Sequence, residues 1–207
     1  QLNGMKIYGE ERRKVVAYAA SMAQAADCAL SKLFDGILRG EMGRYVKVDQ
    51  FSFYNEGGYS GIIRGETVLF GTASFMRKMD VRLPGDINLK TGVFLAVDGQ
   101  LTAIFAAKYL PAENVGWALH AMHRNRVVPV LATRDGNITP ALLKRKFSLD
   151  AGAVYPPLSE RVALSDVTEG HDDDTAAELE YMKVFGPTYY SINIGSVHYV
   201  VLDNVKY

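Results

Sequence analysis

A single cysteine, Cys28, stands in 207 residues, which excludes an intramolecular disulfide framework and a thiolate zinc cluster. It has no adjacent Lys, Arg or His to lower its pKa, so a thiol nucleophile is not expected. An excess of charge of one sign is also missing. Lys and Arg number 23, Asp and Glu number 23, and no nucleic-acid partner is expected of so balanced a chain. Long apolar runs are absent: residues 101–107 and 127–133 are strand-sized, far short of the ~20 residues that span a bilayer. No G-x-S-x-G, H-E-x-x-H or Walker A sequence occurs. The first residue is Gln and no signal-peptide pattern follows, so the chain reads as a piece of something longer. A cytoplasmic setting fits, either for a whole protein or for the cytoplasmic portion of a membrane protein.

What is present points to a folded chain. Hydrophobic residues make up 48% and charged residues 22%, enough apolar surface for a sizeable core. Val15, Ala19, Met22, Ala26, Leu30, Leu33 and Ile37 recur at spacings of three and four, which predicts one helix with a single buried stripe. Gly36 and Gly40 supply its stop, and Cys28 lies at its flank. From Tyr45 the period changes to two. Residues 45–54, 61–64 and 67–71 read as strands, separated by the glycine-rich stretch 55–58 and by Arg64-Gly65-Glu66. A short helix over 72–80 follows.

A second pattern starts near Gly92. Residues 93–97 and 101–107 are strands joined by Asp98-Gly99, a strong hairpin signal. Residues 113–124 can form a helix, 127–132 read as a strand buried in a parallel sheet, and Thr139-Pro140 opens a helix through Phe147. After Pro156-Pro157 and the acidic run 169–174 come a helix over 176–185 and a last hairpin, 189–194 with 197–202. The expected fold class is α/β (mixed α+β): a helix packed on an antiparallel sheet, a partial α/β unit and a C-terminal β-hairpin. The expected divisions are 1–86, 87–165 and 166–207.

The segment GGYSGIIRGETVLFGTASFM (residues 57–76) resembles the nucleotide-binding domain of P-type cation-transporting ATPases, especially the heavy-metal type. Gly58, Gly61, Gly65 and Gly71 stand at matching positions, while Glu56 takes the place of a further glycine. Glycine there permits close backbone approach to a nucleotide. Residues 93–137 resemble the entry into the HAD-like phosphorylation domain of the same family, with Thr133-Arg134-Asp135 in place of its TGD loop. The resemblance covers roughly residues 10–165. It implies ATP and Mg2+ as ligands, with Gly58 and Gly61 near the nucleotide, and Thr133 and Asp135 facing phosphate or magnesium. The family's DKTGT phosphorylation motif and its GDG-ND magnesium motif are missing, and Arg134 stands where the family keeps glycine. Phosphoryl transfer needs a nucleophile and metal ligands, so the chain reads as nucleotide-binding in type but non-catalytic.

The last segment, FGPTYYSINIGSVHYVVLDN (residues 185–204), resembles calcineurin-like metallophosphoesterases, where such a hairpin follows a GNH[DE] metal loop. His171 and Asp172 would then be remaining ligands for a divalent metal such as Mn2+, in a fragment of an enzyme hydrolysing phosphate esters. A third reading is a structural remnant or fusion product that binds no ligand. Strand 197–202, left as an unpaired edge, would then favour self-association. His120 and His123 lie three apart on an expected helix and lack a third metal ligand; solvated histidines are the better reading. His198 reads as a sheet-face residue, and Lys144-Arg145-Lys146 as a solvated helix face.

Overall fold

Residues 12–40 form two helices where the spacing predicts one. In the computed structural model, which describes residues 1–85, 92–110, 122, 124, 126, 128–147, 153–169, 189–194 and 197–202, α1 spans Arg12–Ala26 and α2 spans Leu30–Gly40. The break is made by Asp27, whose left-handed φ of 47° lets its N–H close on the carbonyls of Ala23 and Gln24. The break also moves the buried stripe. Beyond it Leu30, Phe34 and Leu38 are buried, whereas Leu33 and Ile37 are only half-buried.

The chain divides into two compact units, Gln1–Tyr109 with Asp135–Ile138, and Leu110–Arg134 with Thr139–Tyr207. The first is built on a six-stranded antiparallel sheet. Its strands are β1 (Leu2–Ile7), β2 (Asp49–Tyr54), β3 (Gly58–Ile63), β4 (Glu66–Gly71), β5 (Gly92–Val97) and β6 (Gln100–Ala107). They lie in the order β1-β6-β5-β4-β3-β2. The pairing of β4 with β5 carries the sheet across the 86/87 division expected from sequence. Strand β1, which no alternation announces, pairs with β6 and forms one edge. The short hairpins are made by Arg64-Gly65 and Asp98-Gly99, all four residues at positive φ, as two-residue turns with the right twist require.

Both faces of the sheet are covered. The register places Phe70 beside Leu95 and Leu95 beside Ala103, on the face that meets α2. There the Phe34 ring stands edge-on to Phe70 and Phe105, at centroid distances of 5.5 and 4.9 Å. The other face carries Leu69, Phe94, Ala96 and Ile104, which pack with Phe75 and Met76 of α3 (Ala73–Lys78) and with Val81. Strand β5, central in the sheet, is buried along its whole length. The antiparallel sheet with packed helices is the mixed α+β class expected.

In the second unit, α4 spans Pro140–Phe147 and α5 spans Leu158–Glu169. Thr139 caps α4, its Oγ1 accepting from Leu142 N at 3.2 Å. The Lys144-Arg145-Lys146 run falls in the last turn of α4, where cations suit the helix dipole. The parallel strand expected over 127–132 is reduced, among the described residues, to a single parallel bridge between Val130 and Val154. Pro129 has no N–H to extend a ladder. The C-terminal hairpin forms as expected: β7 (Tyr189–Ile194) pairs with β8 (Val197–Leu202) from Tyr189 opposite Leu202 to Ile194 opposite Val197. The helices expected over 113–124 and 176–185 lie wholly or mostly outside the described residues. Among the described residues no helix is long and apolar enough to cross a membrane.

Candidate functional site

The glycine-spaced segment folds as a turn, two strands, a second turn and a capped helix. Gly57 closes the β2–β3 turn at φ 86°, its N–H donating to Tyr54 O at 3.0 Å. Thr72 ties this turn to α3. Its N–H donates to Gly57 O at 2.9 Å, its hydroxyl donates to Glu56 O at 2.8 Å, and the same oxygen accepts from Phe75 N at 3.2 Å. Lys78 pairs with Glu56, and this contact holds the Glu56 carboxyl below its ordinary pKa.

The glycines of this segment are crowded by the chain itself. A Cβ on Gly58 would lie 2.0 Å from the Phe75 ring, and one on Gly71 would lie 2.4 Å from Gly58 Cα. One on Gly61 would lie 2.5 Å from Val48 Cγ1. At Gly58 and Gly61, expected beside a nucleotide, the Cβ direction is therefore filled by protein. Gly65 is different: nothing lies near its Cβ position, and its φ of 84° serves the hairpin.

The Asp135–Ile138 segment packs on the β2–β3 turn. A Cβ on Gly57 would meet Gly136 O at 2.4 Å, and one on Gly136 would meet the Gly57 carbonyl carbon at 2.9 Å. Gly136 N donates to the Tyr59 hydroxyl at 2.8 Å. Asp135 is fully buried. Its Oδ2 accepts from the Tyr109 hydroxyl at 2.8 Å, and its Oδ1 accepts from Asn137 N at 2.8 Å and Asn137 Nδ2 at 3.2 Å. Burial first, and then the neighbouring Asp135 charge, pushes the Tyr109 phenol well above its ordinary pKa. Burial does the same to Tyr59, with Cys28 and Asp135 adding to the shift. The Cys28 thiol, 5% exposed and beside Tyr59, is likewise pushed up, chiefly by burial. Neutral phenols and a neutral thiol thus surround a carboxylate held by hydrogen bonds.

No family model matches the chain, and no curated protein sequence matches it. Solved structures resemble it in part. The N-domain of HMA8, a copper-transporting P-type ATPase, is 17% identical with a TM-score of 0.43, over 52% of this chain and 98% of that one. The catalytic domain of the CPx-ATPase CopB-B is 14% identical with a TM-score of 0.46, over 84% of this chain and 61% of that one. A zinc-transporting PIB-type ATPase is 14% identical with a TM-score of 0.43, over 83% of this chain and 29% of that one. These are partial likenesses at low identity, and no residue role follows from them.

Of the expected nucleotide residues, Gly58, Gly61 and Asp135 belong to the first unit, while half-buried Thr133 belongs to the second. Gly58 and the segment carrying Asp135 are brought together, since the Gly136 Cβ position is 3.2 Å from Gly58 N. Asp135 is enclosed by its partners and turned away from solvent. Sequence reasoning missed Gly57, Tyr59, Tyr109 and Gly136. The usable signal was Asp135-Gly136-Asn137, an Asx-turn string whose side chain bonds the backbone two residues on. His171 and Asp172, expected as metal ligands, lie outside the described residues, as do His120 and His123. Among the described residues no group of three His, Cys, Asp or Glu side chains could hold a metal ion.

Proposed function

We propose that the first unit is a nucleotide-binding-type domain, of the kind found in P-type cation-transporting ATPases, and that this chain transfers no phosphoryl group by itself. The observation that carries the reading is the construction of residues 57–76. The string that resembles the family's nucleotide loop forms a turn, an antiparallel strand pair and a capped helix, with Gly57, Gly58 and Gly71 massed at one end. Glycine backbone of this kind suits close approach by an anionic phosphate chain once the groups now packed on it, Gly136 on Gly57 above all, move aside. ATP, bringing its own Mg2+, is the ligand class. The non-catalytic half of the reading is supported by the given residues, which contain no DKTGT nucleophile motif and no GDG-ND magnesium motif.

A thermal-shift titration of the purified chain with ATP, MgATP and Mn2+ alone tests the reading. A ligand that binds only the folded state stabilises it by about 2.7 kcal/mol at a hundredfold excess over Kd, and the melting midpoint rises accordingly. A rise with ATP or MgATP and none with Mn2+ supports the nucleotide reading. No response to nucleotide at millimolar concentration sinks it. A rise with Mn2+ alone transfers attention to His171 and Asp172. Incubation with γ-labelled ATP checks the second half: a stable acyl-phosphate on the chain would overturn the non-catalytic reading.

A further inference from the structure

We propose that the Asp135–Ile138 segment is an intrachain latch on the glycine turn, so that nucleotide and latch exclude one another. The inference rests on the nucleotide reading of that turn and adds its regulation. Close approach is the property a glycine loop offers a phosphate chain, and here a peptide uses it. Gly136 O stands 2.4 Å from the Cβ position of Gly57, and Gly136's own Cβ position is 3.0 Å from Gly57 Cα. A phosphate cannot reach the same face of Gly57 while Gly136 is seated there.

The chemistry of the contact makes it releasable. Hydrogen bonds tie it to the rest of the unit, Gly136 N on the Tyr59 hydroxyl and the Tyr109 hydroxyl on Asp135, while the Asp135–Asn137 bonds lie within the segment and travel with it. Water can replace these outside partners once the segment lifts, so their net worth is modest. Seating also leaves a cost uncompensated. Asn137 Oδ1 is buried with no hydrogen-bond partner among the described residues. Ile138, 4% exposed, is the one large apolar side chain in the segment. By contrast, the sheet beneath is sealed by fully buried aromatics, Tyr59, Phe70 and Phe105 among them. The segment therefore undocks at smaller cost than the sheet opens.

Hydrogen exchange on the full chain, with and without ATP, tests the latch in wild type, Tyr109→Phe and Asp135→Asn. Tyr109→Phe removes the donor to Asp135 Oδ2, while Asp135→Asn keeps the shape and removes the charge. Both variants should exchange faster than wild type at 135–138 before any nucleotide is added. ATP added to wild type should protect 57–72 and deprotect 135–138. With the latch closed about nine-tenths of the time, freeing it tightens the apparent Kd for ATP about tenfold. ATP binding that protects both segments, or a freed latch that leaves the ATP Kd unchanged, overturns the latch and leaves the nucleotide reading standing. Failure of ATP to bind even the variants whose 135–138 segment exchanges freely removes the nucleotide reading, and the latch with it. Unchanged exchange at 135–138 in both variants overturns the latch on its own.

Discussion

Gly58→Ala separates two explanations of the glycine turn. In the packing explanation Gly58 lacks a Cβ because Phe75 of α3 occupies the space; in the ligand explanation the gap serves a nucleotide. The added methyl would sit 2.0 Å from Phe75 Cδ1 and 2.2 Å from Cγ, where ordinary contact begins at 3.4 Å. Relief needs a shift of more than 1 Å from a ring that is fully buried. That ring is held by Tyr54, 5.2 Å away between centroids, and by Leu69, Met76 and Phe94. The turn on the other side is pinned by Thr72, which bonds both Gly57 and Glu56. With neither side free to yield, the cost should fall at the top of the usual overpacking range, about 3 kcal/mol. At ~2–4 °C per kcal/mol for a chain of this length, the melting midpoint drops by about 10 °C. Urea unfolding of wild type, Gly58→Ala, Phe75→Leu and the double variant measures the coupling. A leucine can turn away from the methyl, so Gly58→Ala should cost at least ~1 kcal/mol less in that background. The packing explanation is refuted if Gly58→Ala melts within ~0.5 kcal/mol of wild type, the range of a neutral surface change. Loss of ATP affinity in such a stable variant would assign the glycine to the ligand.

Two further outcomes follow from the electrostatics. Tyr18, beside Glu66, has its phenol pushed up to about 12, by burial first and then by that carboxylate. Between pH 10 and 12 the unfolded phenol ionises while the folded one does not, so the Tyr18 contribution costs nothing below pH 10 and lowers stability as pH rises through that window. Tyr18→Phe should make the decline shallower, and melting midpoints that fall equally steeply in both proteins would dispose of the argument; Tyr45, Tyr59, Tyr109 and Cys28, all raised by burial, leave a residual slope. Cys28, 5% exposed with its thiol pushed up by burial, should react with a thiol reagent at pH 8 only after denaturation. Full labelling of the native chain within seconds would contradict its placement against Tyr59.

The parts of the fold that sequence disclosed are those whose signal is local. Asp98-Gly99 announces its hairpin because both residues must take positive φ, and the helix expected over 72–80 forms as α3, where the Thr72 hydroxyl meets the helix's third N–H. The helix break at Asp27 went unseen for a related reason: Val15 through Ile37 keeps helical spacing across it, and a single left-handed residue leaves no trace in a hydrophobic pattern. Strand β1 was missed because Leu2–Ile7 is an edge strand with three exposed positions, so it carries little alternation. The 86/87 division would part the β5–β6 hairpin from the strand beside it. Pairing of β4 with β5 joins residues as distant in the chain as Gly71 and Phe94 or Val68 and Val97, which no local pattern encodes.

The candidate site shows the same limit at the scale of single residues. Glycine spacing says that something must come close, and it is silent on what comes. At Gly58 the visitor is a phenylalanine ring, at Gly61 a valine, and at Gly57 a peptide carbonyl from about eighty positions away. Asp135 carries the complementary ambiguity. As part of a loop resembling TGD it reads as a magnesium or phosphate residue; as Asp-Gly-Asn it reads as a turn that bonds its own backbone, and the latter contact is the one observed. If the latch proposed above holds, release of Asp135 from Tyr109 and exposure of the glycine turn are one event, and a substitution that loosens either contact should alter both.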